Sequence, residues 1–212
     1  MDINQYIIKF LLLAPPFLFA LTFHELAHGW VAWRLGDPTA KDAGRLTMNP
    51  IKHIDPLGAI AFIIMQIGWA KPVPVNPVYF RNPHQGMLKV ALAGPGANLL
   101  LAVVSAVLVK ILFNLPLSPS SSPLLLDLLQ PIVQMLYASV WINVMLAVFN
   151  ILPIPPLDGS KVLMGLLPPD AARSYALMEP YGFVLLIVLF YMGIISKVIM
   201  PIIQFSTDLL LR

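Results

Sequence analysis

Two stretches of this chain, Val90–Val109 and Pro131–Ile151, carry no charged residue at all. Each is about as long as the roughly 20 apolar residues a helix needs to cross a hydrocarbon core. Two more come close. Ile3–Phe23 is apolar apart from Asn4, Gln5 and Lys9, and its helical pattern continues through His24–Trp33. Tyr181–Thr207 contains a single charge, Lys197. These are the candidate membrane crossings, with Pro15 and Pro16 expected to kink or break the first near its middle.

The composition agrees with this reading. Hydrophobic residues make up 58% of the 212 residues and charged ones 11%, against about a quarter charged in a soluble domain. A soluble fold of this size has no means of hiding so much apolar surface, so the lipid bilayer is its expected solvent. The net charge of +3 comes from scattered residues, and no basic run suited to nucleic acid is present. There are no cysteines, which excludes disulfides, thiol catalysis and thiolate metal ligands. The N-terminus lacks a basic region and a small-residue cleavage site, and reads as a retained membrane helix.

Between the first and second spans the pattern changes. Pro56–Ala70 is apolar but short for a crossing, and Lys71-Pro72-Val73-Pro74-Val75-Asn76-Pro77 is too proline-rich for a helix. Gly44–Pro50 also reads as extended. Residues 36–87 are therefore expected to form a re-entrant or interfacial hairpin of β-like character. Leu115–Pro123 is a Pro/Ser-rich connector and Asp170–Pro180 a polar linker. The expected fold is an all-α polytopic membrane protein with about four full transmembrane helices plus that short β-like hairpin region.

Chemistry enters at the end of the first span. His24-Glu25-Leu26-Ala27-His28 has the H-E-x-x-H pattern. On a helix, residues four apart share one face, so both imidazoles can reach a Zn²⁺ ion at about 2.0–2.1 Å. Glu25 is placed to take a proton from an activated water and later to protonate a leaving amine. Two helix histidines by chance, with Glu25 on a solvated face, is the bland alternative. It fits poorly with membrane depth, where ionisable side chains are costly and need a reason to be there. A catalytic zinc site uses three protein ligands and keeps one position open. Asp158 in Asn150-Ile151-Leu152-Pro153-Ile154-Pro155-Pro156-Leu157-Asp158-Gly159 is one candidate for the third. Asp158-Gly159 reads equally well as a plain turn.

Taken together and in this order, H-E-x-x-H and N-x-x-P-x-x-x-L-D-G resemble the site-2 protease family of intramembrane metalloproteases. Gly94-Pro95-Gly96-Ala97-Asn98 is similar to a further family element. So are Gly44-Arg45-Leu46, Asn49-Pro50 and His53-Ile54-Asp55-Pro56, and the likeness spans roughly residues 20–165. The resemblance implies one Zn²⁺ per chain held by His24, His28 and Asp158, with Glu25 as catalytic base and Asn150 assisting at the substrate carbonyl or oxyanion. It implies hydrolysis of peptide bonds in a transmembrane protein or peptide, within or at the edge of the bilayer. A single integral-membrane domain, 1–212, is then expected. Its catalytic core covers about 6–165 and its C-terminal transmembrane helix about 181–207, with no room for the PDZ or CBS domains of some relatives. A membrane metal transporter and a catalytically inactive scaffold are the alternatives. Glu25 separates them from a protease, because a general base is needed for hydrolysis and not for metal binding.

Crossing parity tests the assignment independently. His24 and His28 lie toward the C-terminal end of the first span, and Asp158 just beyond the end of 131–151. One metal can reach all of them only if an even number of crossings intervenes, so 56–70 is expected not to cross. Arg34, Lys41, Arg45, Lys52, Lys71, Arg81, Lys89, Lys161 and Arg173 then share one side, against Lys9 and Lys110 on the other. The positive-inside rule places the site near the cytoplasmic face of a cell membrane. Of the remaining residues, Gly94, Gly96 and Ala97 suit close helix packing and Asn98 a bond across helices. His53 reads as a satisfied loop histidine and His84 as a surface one. Trp30, Trp33 and Trp69 read as an interfacial aromatic belt. The segment 69–80 is suited to holding an unwound substrate by strand addition.

Overall fold

The structure is a computed structural model that describes residues 2–58, 60, 69–114 and 123–212. Helix α1 spans Ile3–Arg34, followed by a single turn α2, Thr39–Asp42. Helices α3, Pro83–Phe113, and α4, Pro123–Asn150, pack against each other and against α1. Four shorter helices follow: α5 (Asp158–Leu166), α6 (Pro169–Ala176), α7 (Glu179–Tyr191) and α8 (Ile194–Leu211). Within the described residues α1, α3, Asp127–Asn150 of α4, and α8 are long and apolar enough to span a membrane. An all-α polytopic membrane protein is what these helices make.

Pro15 and Pro16 do not break α1, which continues through both. Within lipid an unbroken helix keeps its other backbone groups bonded, and neighbouring helices and hydroxyl side chains absorb the few that proline frees. The C-terminal apolar stretch does differ from the expected single crossing. Gly193, at φ 71°, ends α7 in a left-handed turn and starts α8 anew. A left-handed residue ends an α-helix, and glycine adopts that conformation without a Cβ penalty. Small residues set the interior: Ala102 and Ala106 of α3 meet Val140 and Val144 of α4 and Ile195, Ile199 and Ile203 of α8. Close approach of backbones through small side chains is how membrane helices associate. At the end of α1 the half-exposed Trp30 and Trp33 each carry a cation over the ring, Arg34 at 5.5 Å and Lys41 at 5.0 Å. That is the arrangement of an interfacial belt.

The β-like hairpin is overturned. Among the described residues there is no strand and no sheet, and only one isolated antiparallel bridge, Ile54 to Ala70. Gly44–Pro50 is a run of turns and bends, with Gly44 at φ 63°. Lys71–Asn76, here called the strap, pairs with no ladder. The physical reason is where its backbone groups go. The Lys71 and Pro72 carbonyls accept from Arg45 at 2.6 and 3.1 Å, and the Val73 and Asn76 N–H groups donate to Glu25 and Asp37 at 3.0 and 2.7 Å. Pro72 and Pro74 have no N–H to offer. Side chains have taken the bonds a neighbouring strand would need.

The ends of the apolar stretch 56–70 meet at the same place. Ile54 bridges Ala70, and the Lys71 N–H donates to the His53 carbonyl at 2.9 Å. The two ends of the stretch therefore lie side by side, and the expectation that 56–70 does not cross falls largely on residues outside the described ones. Residues 59 and 61–68 of that stretch lie outside the described residues, as does the connector 115–122.

Candidate metal centre

His24 and His28 project from one face of α1 onto α3. Both are buried, at 6% and 8% exposure, and their rings meet edge to face at 4.6 Å. They can sit there because α3 presents Gly94 to them. A Cβ at Gly94 would lie 2.6 Å from His24 Nε2 and collide with His28 Nε2. The expected packing role of Gly94 is thus specifically the space for the two imidazoles.

Asp158 arrives from the other direction. After Asn150, residues 151–157 turn the chain back through bonds from the Ile154 N–H to Leu152 O (2.8 Å) and the Leu157 N–H to Ile154 O (2.9 Å). Asp158 then opens α5, where an acidic residue is favoured by the helix dipole. Gly159 is required beside it, since a Cβ there would strike the Ile151 and Leu152 carbonyls. The plain-turn reading of Asp158-Gly159 falls, because the carboxylate points into the interior.

The ligand atoms form a small triangle. His24 Nε2 and His28 Nε2 are 3.0 Å apart, and each is 3.1 Å from Asp158 Oδ2. Two ligands of a tetrahedral ion at about 2.0–2.1 Å are separated by about 3.3 Å, so the triangle has the dimensions of one coordination face. The outer nitrogens strengthen the case. His24 Nδ1–H donates to Asn98 Oδ1 at 2.5 Å, and His28 Nδ1–H donates to the Val90 carbonyl at 2.7 Å. Asn98 Oδ1 and the Val90 carbonyl can only accept, so each Nδ1 carries a proton and a neutral ring turns its Nε2 lone pair toward the Asp158 oxygen. Lone pairs and a carboxylate converging at 3 Å are mutually repulsive unless a cation lies at their centre. Among the described residues this is the cluster that could hold a metal ion.

The outer shell extends further. Asn98 is fully buried and also donates to the Ala20 carbonyl at 3.2 Å and to Asn143 Oδ1 at 2.8 Å. Asn143 donates in turn to Ser139, whose hydroxyl meets Ser105 at 2.8 Å. Asn98 is therefore a cross-helix bond, as expected, and its partner is a histidine of the triangle. The H-E-x-x-H pattern contains no signal for this link, which joins residues 74 positions apart.

Glu25 is buried, 9% exposed, and its Oε2 accepts from the Val73 N–H. Thus the amide expected to be free for substrate pairing is already used. Asn150 ends α4 with its Nδ2–H donating to Leu146 O at 2.9 Å, one turn back, and among the described residues it has no bond to the triangle. His53 is fully buried, with Nε2–H donating to Thr47 O at 2.9 Å and Nδ1 beside Arg45. It is satisfied and is not a ligand. His84 is exposed.

Comparison with known proteins bears on this site directly. Residues 120–189 match the profile of peptidase family M50. The chain is 38% identical over 197 residues to "Putative zinc metalloprotease YwhC" of Bacillus subtilis (strain 168), covering 91% of this chain and 86% of that protein. The chain belongs to peptidase family M50, the site-2 proteases. It is also 30% identical over 197 residues to "Putative zinc metalloprotease Rip2" of Mycolicibacterium smegmatis (strain ATCC 700084 / mc(2)155), covering 87% of this chain and 68% of that one. No solved structure matches it. Family M50 membership and the buried His–His–Asp cluster make the chain an intramembrane metalloprotease, a multi-pass membrane protein acting on membrane-embedded substrates.

Proposed function

We propose that His24, His28 and Asp158 hold one Zn²⁺ ion and that Glu25 carries the protons of peptide-bond hydrolysis in a transmembrane protein or peptide. The observation that carries this reading is the ligand triangle, whose two imidazoles are locked by Asn98 and Val90 with both Nε2 atoms inward. When bound, the ion supplies Lewis-acid activation of a water and of the scissile carbonyl. The donor set of two imidazoles and one carboxylate suits zinc and leaves a position open.

Glu25 then works with this chain's own geometry. Oε2 is tied to the strap, and Oε1 takes no hydrogen bond from any described residue, so it is the oxygen free to accept the proton of the attacking water. The same oxygen returns a proton to the leaving amine. Asn150 is assigned to the substrate carbonyl. Its amide bonds back to Leu146 in the absence of substrate and exchanges that partner for the carbonyl on binding. Asn150 adjoins Ile151, whose carbonyl lies against Gly159, beside Asp158.

The position of the site along α1 and the distribution of charges support its depth and side. His24 lies six residues before Trp30, so about 9 Å deeper than that interfacial ring at 1.5 Å per residue. That depth is within the bilayer but close to one face. Lys41, Lys52, Lys71, Arg81 and Lys89 all fall between the end of α1 and the uncharged run that starts at Val90, which supports a cytoplasmic location. Water reaches the site from that side, and the domain acts as a unit over 1–212 with its catalytic core within about 6–165.

The test is cleavage of a single-span test peptide by purified protein in detergent, wild type against Glu25→Gln, with metal content measured in both. Wild type alone should cleave while both hold zinc. Cleavage by Glu25→Gln at the wild-type rate would refute the assigned role of Glu25. Zinc bound stoichiometrically after Asp158→Ala would refute the ligand set.

A further inference from the structure

Arg45 is a buried cation, 6% exposed, and among the described residues it has no carboxylate partner. Burying a charge without a counter-charge is costly, so its bonds must accomplish something specific. Its two carbonyl bonds converge on the strap. The guanidinium donates from Nη2 to the Lys71 carbonyl and from Nη1 to the Pro72 carbonyl, at 2.6 and 3.1 Å. Its Nη2 also lies 3.4 Å from His53 Nδ1, and His53 itself is held by Thr47. Arg45 therefore grips the two residues immediately before Val73, whose N–H holds Glu25 Oε2.

The far end of the strap is gripped as well. Asp37 is fully buried, accepts from the Asn76 N–H at 2.7 Å through Oδ2, and is itself fixed by the Thr39 N–H and hydroxyl on Oδ1. The middle is seated on α1 one turn beyond Glu25. A Cβ at Gly29 would lie 2.8 Å from Leu46 Cδ2 and 3.0 Å from Val73 Cγ1. Glycine at that position is what lets the strap come close enough for its amide to reach Glu25.

We infer that Arg45 is a positioning residue for catalysis, bracing the strap on Gly29 so that the Val73 amide holds Glu25 in its working orientation. The inference rests on Glu25 being the proton carrier. A carboxylate with one oxygen fixed by an N–H has one rotamer and presents the other oxygen in one direction. Freed from the strap, it samples several, and only some face the reacting water. Proton transfer requires hydrogen-bond reach in a defined pose, and small displacements at a catalytic group are costly in rate. The effect belongs in kcat, because Arg45 reaches Glu25 only through the strap backbone.

The experiment compares wild type, Arg45→Lys, Arg45→Met and Glu25→Gln as purified, zinc-loaded proteins in detergent. Amide exchange is followed over residues 71–76 by mass spectrometry. kcat and KM are measured on a single-span test peptide, an apolar helix interrupted by Gly-Pro. Arg45→Met should retain zinc, exchange its strap amides faster, and lose about 10- to 100-fold in kcat with KM little changed. Arg45→Lys, able to reach one carbonyl, should recover part of both. Strap amides as protected in Arg45→Met as in wild type overturn the brace. Faster exchange with unchanged kcat, while Glu25→Gln is inactive, overturns the link to catalysis and leaves the base assignment standing. An active Glu25→Gln removes the base assignment and this inference with it. If Arg45→Met does not fold, Gly29→Ala decides the matter: its added methyl lifts the strap while Arg45 stays in place, and an unchanged kcat overturns the inference.

Discussion

Replacing Asn98 by leucine tests whether the metal site depends on a residue that never touches the metal. The side chain is fully buried and holds three partners, so the cost can be worked bond by bond. The Ala20 carbonyl still has its helical partner, the His24 N–H, and loses little. His24 Nδ1–H loses its acceptor at 2.5 Å and Asn143 Oδ1 its donor at 2.8 Å. An orphaned buried group costs about 1–3 kcal/mol in a soluble core, while cross-helix bonds in membranes average about 0.6 kcal/mol. The fold should therefore survive, weakened by about 1–3 kcal/mol. The metal is affected more specifically. Without Asn98 the His24 proton is free to move to Nε2, which removes the lone pair that faces Asp158. Loss of such an outer partner lowers metal affinity about 10- to 100-fold, or about 1.4–2.8 kcal/mol. Chelator-buffered Zn²⁺ titration of the purified protein reads this directly. Asn143→Leu leaves the His24 acceptor in place and should cost less than about tenfold. A folded Asn98→Leu protein that binds Zn²⁺ within about twofold of wild type would refute the tautomer argument.

Other consequences are as direct. Gly94→Ala places a methyl against both Nε2 atoms, 2.6 Å from that of His24. It should abolish stoichiometric zinc while leaving a helical, monodisperse protein by circular dichroism and gel filtration. Asp158→Asn keeps the shape but removes the charge, and zinc affinity should fall by at least about tenfold in the same titration. Because the chain has no cysteine, topology can be read against a clean background. A membrane-impermeant maleimide should label Lys110→Cys in intact cells and Lys52→Cys only after permeabilisation, and the opposite pattern would overturn the cytoplasmic placement.

Much of this protein is legible in local pattern. Uncharged runs of bilayer length in α3 and α4 had to be helices, because lipid offers backbone groups no other partner. His24 and His28 four apart had to share a face of α1. Parity of crossings then required the chain between α1 and α3 to return to its starting level, and the Ile54–Ala70 bridge brings the two ends of that stretch together. Asp158 was ambiguous by itself, since Asp-Gly suits a turn, and only its place at the start of α5 beside the imidazoles resolves it.

Other features were decided by tertiary contact alone. Lys71–Asn76 has the composition of an edge strand, yet strand or not depends on which groups come to satisfy its backbone. Arg45 comes from 26 positions upstream, Glu25 from 48 and Asp37 from 39. Asn98 and Gly94 read as packing residues until α1 is laid across them. Gly193 reads as one small residue in an apolar run until its left-handed φ divides the run. The amino-acid sequence by itself determined which chemistry can be done and that it is done in a bilayer, because ligand type, helical period and apolar length are local properties. Which groups hold His24, His28 and Glu25 in place was settled only in three dimensions, because the partner of a buried polar group is chosen by folding geometry and leaves no periodic trace along the chain.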